Sequence, residues 1–202
     1  LEYNNENMEI MQNLEIFFQK FKKEEYEAIL KEFIQKEILY DAFDIWIKSQ
    51  DSFIYEKISL FYANLIFSAF QYGKIKNKGL KEKMTLYSGT RMKIIDVMEF
   101  VRNQSTIITF PYFLFCTRNE ELSETFSEIK VNKKQKENSK EFSVNLTISY
   151  NFTECVPSII NIDDLLCLPD QLEYIILPFT FYYVKLVNVD MAERIAKIHL
   201  IA

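Results

Sequence analysis

The chain has 202 residues, 24 Lys+Arg against 29 Asp+Glu for a formal charge of −5, and a hydrophobic fraction of 49% that includes 18 Phe and 12 Tyr. This length and apolar content suit one domain with a sizeable core, and the acidic balance excludes a nucleic-acid binder held by clustered Lys and Arg. Only three Gly and four Pro leave little for flexible linkers, and no apolar run has the length of a membrane-spanning helix.

The first eighty residues read as helix. In "NENMEIMQNLEIFFQKF" Met8, Met11, Leu14, Phe18 and Phe21 recur at steps of three and four, giving one apolar stripe. "EEYEAILKEFIQKEILYDAFDIWI" continues the pattern through Tyr26, Ile29, Phe33, Ile34, Ile38 and Phe43. "YEKISLFYANLIFSAFQYG" is apolar all round, which predicts the most buried helix, with Gly73 and Gly79 marking its end. The aromatics Phe17, Tyr40, Tyr62 and Tyr72 suit either core packing or an interface.

Beyond Gly79 the pattern changes. "MTLYSG" reads as a short strand ended by glycine, and "MKIIDVMEFVRN" as a helix with Ile94, Ile95, Met98 and Val101 on one side. "STIITFPYFLFCT" is β-branched and aromatic but interrupted by Pro111, which suits a bent or edge strand. Thr117 or Asn119 can cap a short helix over "NEELSETF". "SEIKVNKKQKENSKEFSVNLTIS" reads as strand, polar turn and strand, its lysines interleaved with acids and amides as at a solvated tip. Two strands broken at Pro178 follow in "LEYIILPFTFYYVKLV", and "RIAKIHLI" alternates as a last strand. Helices first and strands after make an α+β arrangement.

Cys116, Cys155, Cys167 and the single His199 lack any metal-ligand spacing, so no metal site is expected. Three thiols suit a reducing compartment, and an intracellular location is favoured. Sequons at Asn103, Asn145 and Asn151 do not establish secretion in so Asn-rich a chain.

Local physics singles out Glu173, a carboxylate ahead of a continuous apolar run. Such a group loses solvation unless it lies at the open end of the strand or meets a donor. An exposed strand-end acid that discourages edge pairing is the simpler reading. Gln171 shares its strand parity, so both side chains can enter one cleft.

Three stretches, in order, resemble the signature segments of the mono-ADP-ribosyltransferases with an Arg-Ser-Glu site, and most of all their eukaryotic arginine-modifying branch. "LPDQLEYIILPFTFYYV" is similar to the Glu-x-Glu segment, "TIITFPYFLFCTRNEELSETF" to the segment containing Ser-Thr-Ser, and "LYSGTRM" to the Leu-Tyr-Arg-Gly strand. The likeness covers about residues 84–202, with residues 1–83 fitting a helical lobe. It implies a single domain: a helical lobe followed by a split pair of antiparallel sheets flanking an NAD cleft. It also implies transfer of ADP-ribose from NAD to a protein side chain. That reaction runs through an oxocarbenium-like transition state, which needs positioning and a nearby carboxylate. Glu173 matches the glutamate that binds the nicotinamide ribose and stabilises the cation, and Gln171 the residue facing the acceptor.

The match departs at several positions. The arginine of the first segment falls on Ser88, followed by the matching Gly89. Arg91, three residues on, points to the opposite face of a regular strand. Ser-Thr-Ser falls on Phe115-Cys116-Thr117, so only the third hydroxyl is kept, and the preceding glycine becomes Tyr112. Gln171 replaces the first Glu of the pair. The expectation is therefore a degenerate, pseudoenzyme-like ADP-ribosyltransferase domain serving as a protein-interaction or structural module. The alternatives are an active enzyme using Glu173 and an unrelated α+β binding domain. NAD is a substrate if the site is active, with no cofactor otherwise, and the partner is a protein acceptor or scaffold.

Overall fold

A computed structural model describes residues 15–22, 25–35, 52–76, 83–127, 141–150, 158–165 and 174–202. They fall into two compact units, one running to Lys76 and including Asp164 and Leu165, the other carrying every described strand.

The first unit contains helices α1 (residues 15–22), α2 (Tyr26–Gln35) and α3 (Ser52–Lys76). Spacing of three and four brings Ile29, Leu30 and Phe33 of α2 inward, and likewise Ile58, Phe61, Leu65, Ala69 and Tyr72 of α3. Phe17 of α1 meets Phe61 edge to face, ring centres 4.6 Å apart. Phe17 and Tyr72 are thus core residues and not interface aromatics, while Tyr40 lies outside the described residues. The α3 helix runs through Gly73 to Lys76. A helical glycine costs only about 1 kcal/mol, which the buried stripe before it offsets.

The second unit is built on two sheets. A five-stranded sheet has the order β1-β4-β8-β7-β2, from β1 (Met84–Lys93), β2 (Ile107–Thr109), β4 (Glu141–Tyr150), β7 (Phe181–Asp190) and β8 (Ile195–Ile201). A three-stranded sheet has the order β3-β6-β5, from β3 (Leu114–Cys116), β5 (Ile159–Asn161) and β6 (Tyr174–Ile176). All pairs are antiparallel except β4 with β8, so the larger sheet is mixed. The α+β expectation holds, with that one parallel pair as the refinement. Alternate side chains of the two sheets make the core: Leu86, Leu146, Tyr182 and Ile198 from one, Leu114, Cys116, Tyr174 and Ile176 from the other.

Several expectations change in detail. The Pro111 segment is two strands in different sheets, β2 and β3, and the Pro178 segment likewise splits into β6 and β7. Strand β5 was not anticipated. Helix α4 (Ile94–Arg102) forms where expected but buries Val97 and Phe100. The face carrying Ile94, Ile95, Met98 and Val101 is exposed, because α4 starts directly at the end of β1 and the strand's exit sets its phase.

The β1 strand does not stop at Gly89 but continues in unbroken register with β4 from Met84↔Tyr150 to Lys93↔Glu141. Helix α5 (Glu120–Phe126) is capped by Asn119, whose side chain accepts from the Leu122 N–H at 3.2 Å. The helix lies so close to β1 that a Cβ on Gly89 would sit 1.8 Å from the Ser123 carbonyl oxygen. Asn145, opposite Gly89 on β4, is buried, so its sequon is closed to modification in the folded chain.

Two predictions follow from this packing. Gly89→Ala forces the α5 backbone off β1 and should cost about 3 kcal/mol or more, at the upper end of overpacking effects; a urea midpoint equal to that of the unaltered chain would refute the close approach. His199 Nε2 lies 2.8 Å from Ser149 Oγ, and burial, then the Lys185 charge, lower its pKa. The unfolded chain therefore takes up the proton first, so this contribution is complete above the ordinary value near 6.5 and is lost as pH falls through the lowered one. Unfolding titrations at about pH 7.5 and 5.5 should show a smaller stability loss in His199→Asn than in the parent chain.

Candidate functional site

Backbone pairing brings the three signature segments together. The Tyr87 N–H donates to the Thr117 carbonyl at 2.8 Å, and the Thr117 N–H donates to the Tyr87 carbonyl at 2.9 Å. This single antiparallel bridge ties the first segment, on β1, to the second, at the end of β3. Register then brings in the third: Cys116 pairs with Tyr174 and Phe115 with Ile175. Tyr174 is the residue after Glu173 in sequence. Glu173 and Gln171 themselves lie outside the described residues.

Ser88 is 6% exposed and sits on the strand face shared with Leu86, opposite Leu146. Its surroundings are the apolar core. Arg91 is exposed on the other face of the same strand. Because β1 has no bulge between the two, Arg91 does not turn to the side of Ser88. Gly89 is held against α5, so its place in the segment has a packing reason independent of any ligand.

Phe115 alternates with the core-facing Leu114 and Cys116 and so points away from the core, half-buried. Thr117, on the same side of the chain, is fully buried, and its Oγ1 accepts from the Asn119 N–H at 3.0 Å. The retained hydroxyl is therefore engaged in starting α5, and the two candidate capping residues act in sequence: Thr117 holds Asn119, and Asn119 holds the helix. Tyr112 is 46% exposed and stacks on Phe110, with centroids 5.4 Å apart and planes at 26°. Burial and the nearby Asp96 charge raise its pKa. The ring lies against the surface of the aromatic cluster.

One residue at this junction had drawn no attention in the sequence. Arg118 follows Thr117, and its Nη2 donates to the Tyr174 hydroxyl while the guanidinium carbon lies 5.1 Å from the Tyr174 ring centre. Only the pairing of β3 with β6 reveals this, since 56 residues separate the two.

The remaining chemistry-bearing groups lie elsewhere. Burial pushes the Cys116 thiol far up, so it is an inert core residue. Cys155 and Cys167 lie outside the described residues. Among the described residues no group of three or more His, Cys, Asp or Glu is placed to hold a metal ion. No described helix is long and apolar enough to cross a membrane. A cavity of about 480 Å³ lies in the helical unit, lined by Tyr26, Lys31, Tyr72 and Lys76 among others.

No protein-family model and no curated protein matches the sequence. Solved structures do match in fold. The Vis toxin of Vibrio splendidus, an ADP-ribosyltransferase, superposes with a TM-score of 0.58 at 15% identity, over 96% of this chain and 84% of that one. C3stau2 of S. aureus, solved with NAD, gives 0.52 at 10% identity, over 96% and 94%. Exoenzyme S of Pseudomonas aeruginosa, bound to carba-NAD and in complex with human 14-3-3 protein beta, gives 0.54 at 11% identity, over 87% and 72%. Similarity spread over nearly the whole chain at such low identity is a likeness of architecture: the chain has the ADP-ribosyltransferase fold.

Proposed function

We propose that the chain is an ADP-ribosyltransferase-like domain with a degenerate site, serving as a protein-interaction or structural module. The observation that carries this reading is the state of β1 at the junction, where Ser88 faces the apolar core and Arg91 faces away. A dinucleotide phosphate finds no guanidinium on the Ser88 side of that strand. Loss of a charged anchor and, at Phe115, of a site hydroxyl costs on the order of 2–4 kcal/mol each in comparable deletions. Every 1.4 kcal/mol or so is tenfold in rate. The exposed apolar face of α4, with Ile95 at 63%, supports the interaction role, since such faces mark contact surfaces.

A second reading, slow NAD-dependent mono-ADP-ribosylation through Glu173 with Gln171 toward the acceptor, is favoured by the position of Tyr112. Its ring rests on Phe110 at the surface of the aromatic cluster. Within this reading the Gln171 substitution argues for an acceptor other than arginine, against the arginine-modifying branch that the segments most resemble.

Incubation with nicotinamide-labelled NAD separates the two. The first reading expects no nicotinamide release above the buffer blank and the same result for Glu173→Gln. Release that depends on protein concentration and disappears in Glu173→Gln would replace it with the second.

A further inference from the structure

The larger sheet has two edges. At one, β1 is bridged to Thr117 and α5 lies across Gly89. The other is β2, which pairs with β7 and, among the described residues, with no further strand. The Thr106 carbonyl accepts from the Val184 N–H at 3.0 Å and the Phe110 carbonyl from the Phe179 N–H at 2.7 Å, so these two residues turn their acceptors toward β7. Backbone groups alternate in an antiparallel pair, which leaves the N–H and C=O of Ile107 and Thr109 pointing outward. Both residues are exposed. Edges of this kind are commonly guarded by a charge or a proline. Here β2 reads Ile-Ile-Thr, and no charged residue stands between Arg102 and Arg118. The outer face beside the edge is apolar: Ile107 lies opposite Tyr183 and Thr109 opposite Phe181, with Ile107 66%, Phe181 73% and Tyr183 42% exposed.

We infer that this edge pairs with the same edge of a second copy of the chain, β2 against β2, antiparallel about a two-fold axis at Ile108. The two five-stranded sheets then become one. Ile107 of each copy lies opposite Thr109 of the other, and each such pair exchanges both N–H···O bonds, so every outward group of β2 is satisfied. Three properties of the edge choose a second copy over a foreign strand. A two-fold sets like charge against like, and copies of a chain with net charge −5 repel one another, so self-association needs an uncharged stretch such as this one. On β7 the first charge is Lys185, at the register shift beyond Val184. A three-residue strand also matches its own length, whereas a longer foreign strand would run past both ends of it. The exposed parts of Ile107, Phe181 and Tyr183 come to about 350 Å² on each copy, taking about 150–250 Å² for a whole aromatic side chain. Two copies thus bury about 700 Å² of side-chain surface, short of the roughly 1,200 Å² of a stable complex, so the dimer is weak and concentration-dependent. It rests on the sheet edge and not on the NAD cleft, and it stands under either reading of that site.

Sedimentation velocity of the whole chain from about 5 to about 500 µM tests this, the range in which a weak dimer forms. The mean sedimentation coefficient should rise with concentration toward that of a dimer. Ile107→Lys places a charge on the edge and should raise the dimer Kd about tenfold or more. Thr109→Pro removes only an outward N–H, so the pairing of β2 with β7 is kept while two of the bonds between copies are lost, and the Kd should rise likewise. Ile95→Lys, on the exposed face of α4, should leave the dimer unchanged. Amide exchange at Ile107 and Thr109 in the parent chain should slow as concentration rises, a readout that needs no variant. A parent chain that sediments as a monomer throughout would overturn the inference. So would a dimer that persists in both edge variants, and one lost in Ile95→Lys alone would move the contact to α4.

Discussion

Two hydrogen bonds between the backbones of Tyr87 and Thr117 join the two sheets of the strand-bearing unit. Strand β1 is paired to β4 along its whole length on one edge, and on the other this bridge hydrogen-bonds it to the smaller sheet. Thr117 is fully buried, so its N–H and C=O have no water to fall back on, and losing the pair would strand both groups. The rest of the junction follows from it. The chain leaving Thr117 must turn at once into α5, α5 then lies across β1 at Gly89, and β6 is drawn in beside Cys116.

This arrangement places few demands on the side chains at the junction. The bridge, the β1–β4 register and the β3–β6 register are all backbone contacts and are indifferent to the side chains at positions 88 and 115. Serine and phenylalanine are both accommodated in a strand there. Gly89 is another matter, since any Cβ there collides with the α5 carbonyl. Tyr112 occupies a place where the related segment has glycine, and it is accommodated because its ring finds Phe110.

The strands were legible because alternation survives in them: β1, β4, β7 and β8 each send every second side chain into one core. The face of α4 was not legible. Its apolar residues outnumber those its packing can use, and periodicity alone does not say which of two apolar sides is covered. Gly73 and Gly89 were misjudged because glycine reads as a break in an isolated helix or strand, whereas here the buried stripe ahead of Gly73 and the continuous pairing of β1 with β4 carry the elements through. The β5 strand has only three residues and pairs with β6 alone, too short a run to show a period.

By itself the sequence determined the α+β class, the order of most elements and the likeness of three short segments to one family of folds, because these rest on local pattern and on residues in fixed succession. Parity alone sets Arg91 opposite Ser88 in a regular strand, and the unbroken β1–β4 register decided that the strand is regular there. Only the tertiary structure decided that the segments meet at Tyr87, Thr117 and Tyr174, that Thr117 is spent on a helix cap, that Tyr112 lies on the surface and that Arg118 stands over Tyr174. Each of these depends on a pairing between residues far apart in sequence, whose register is set by the shared core and carries no local signal.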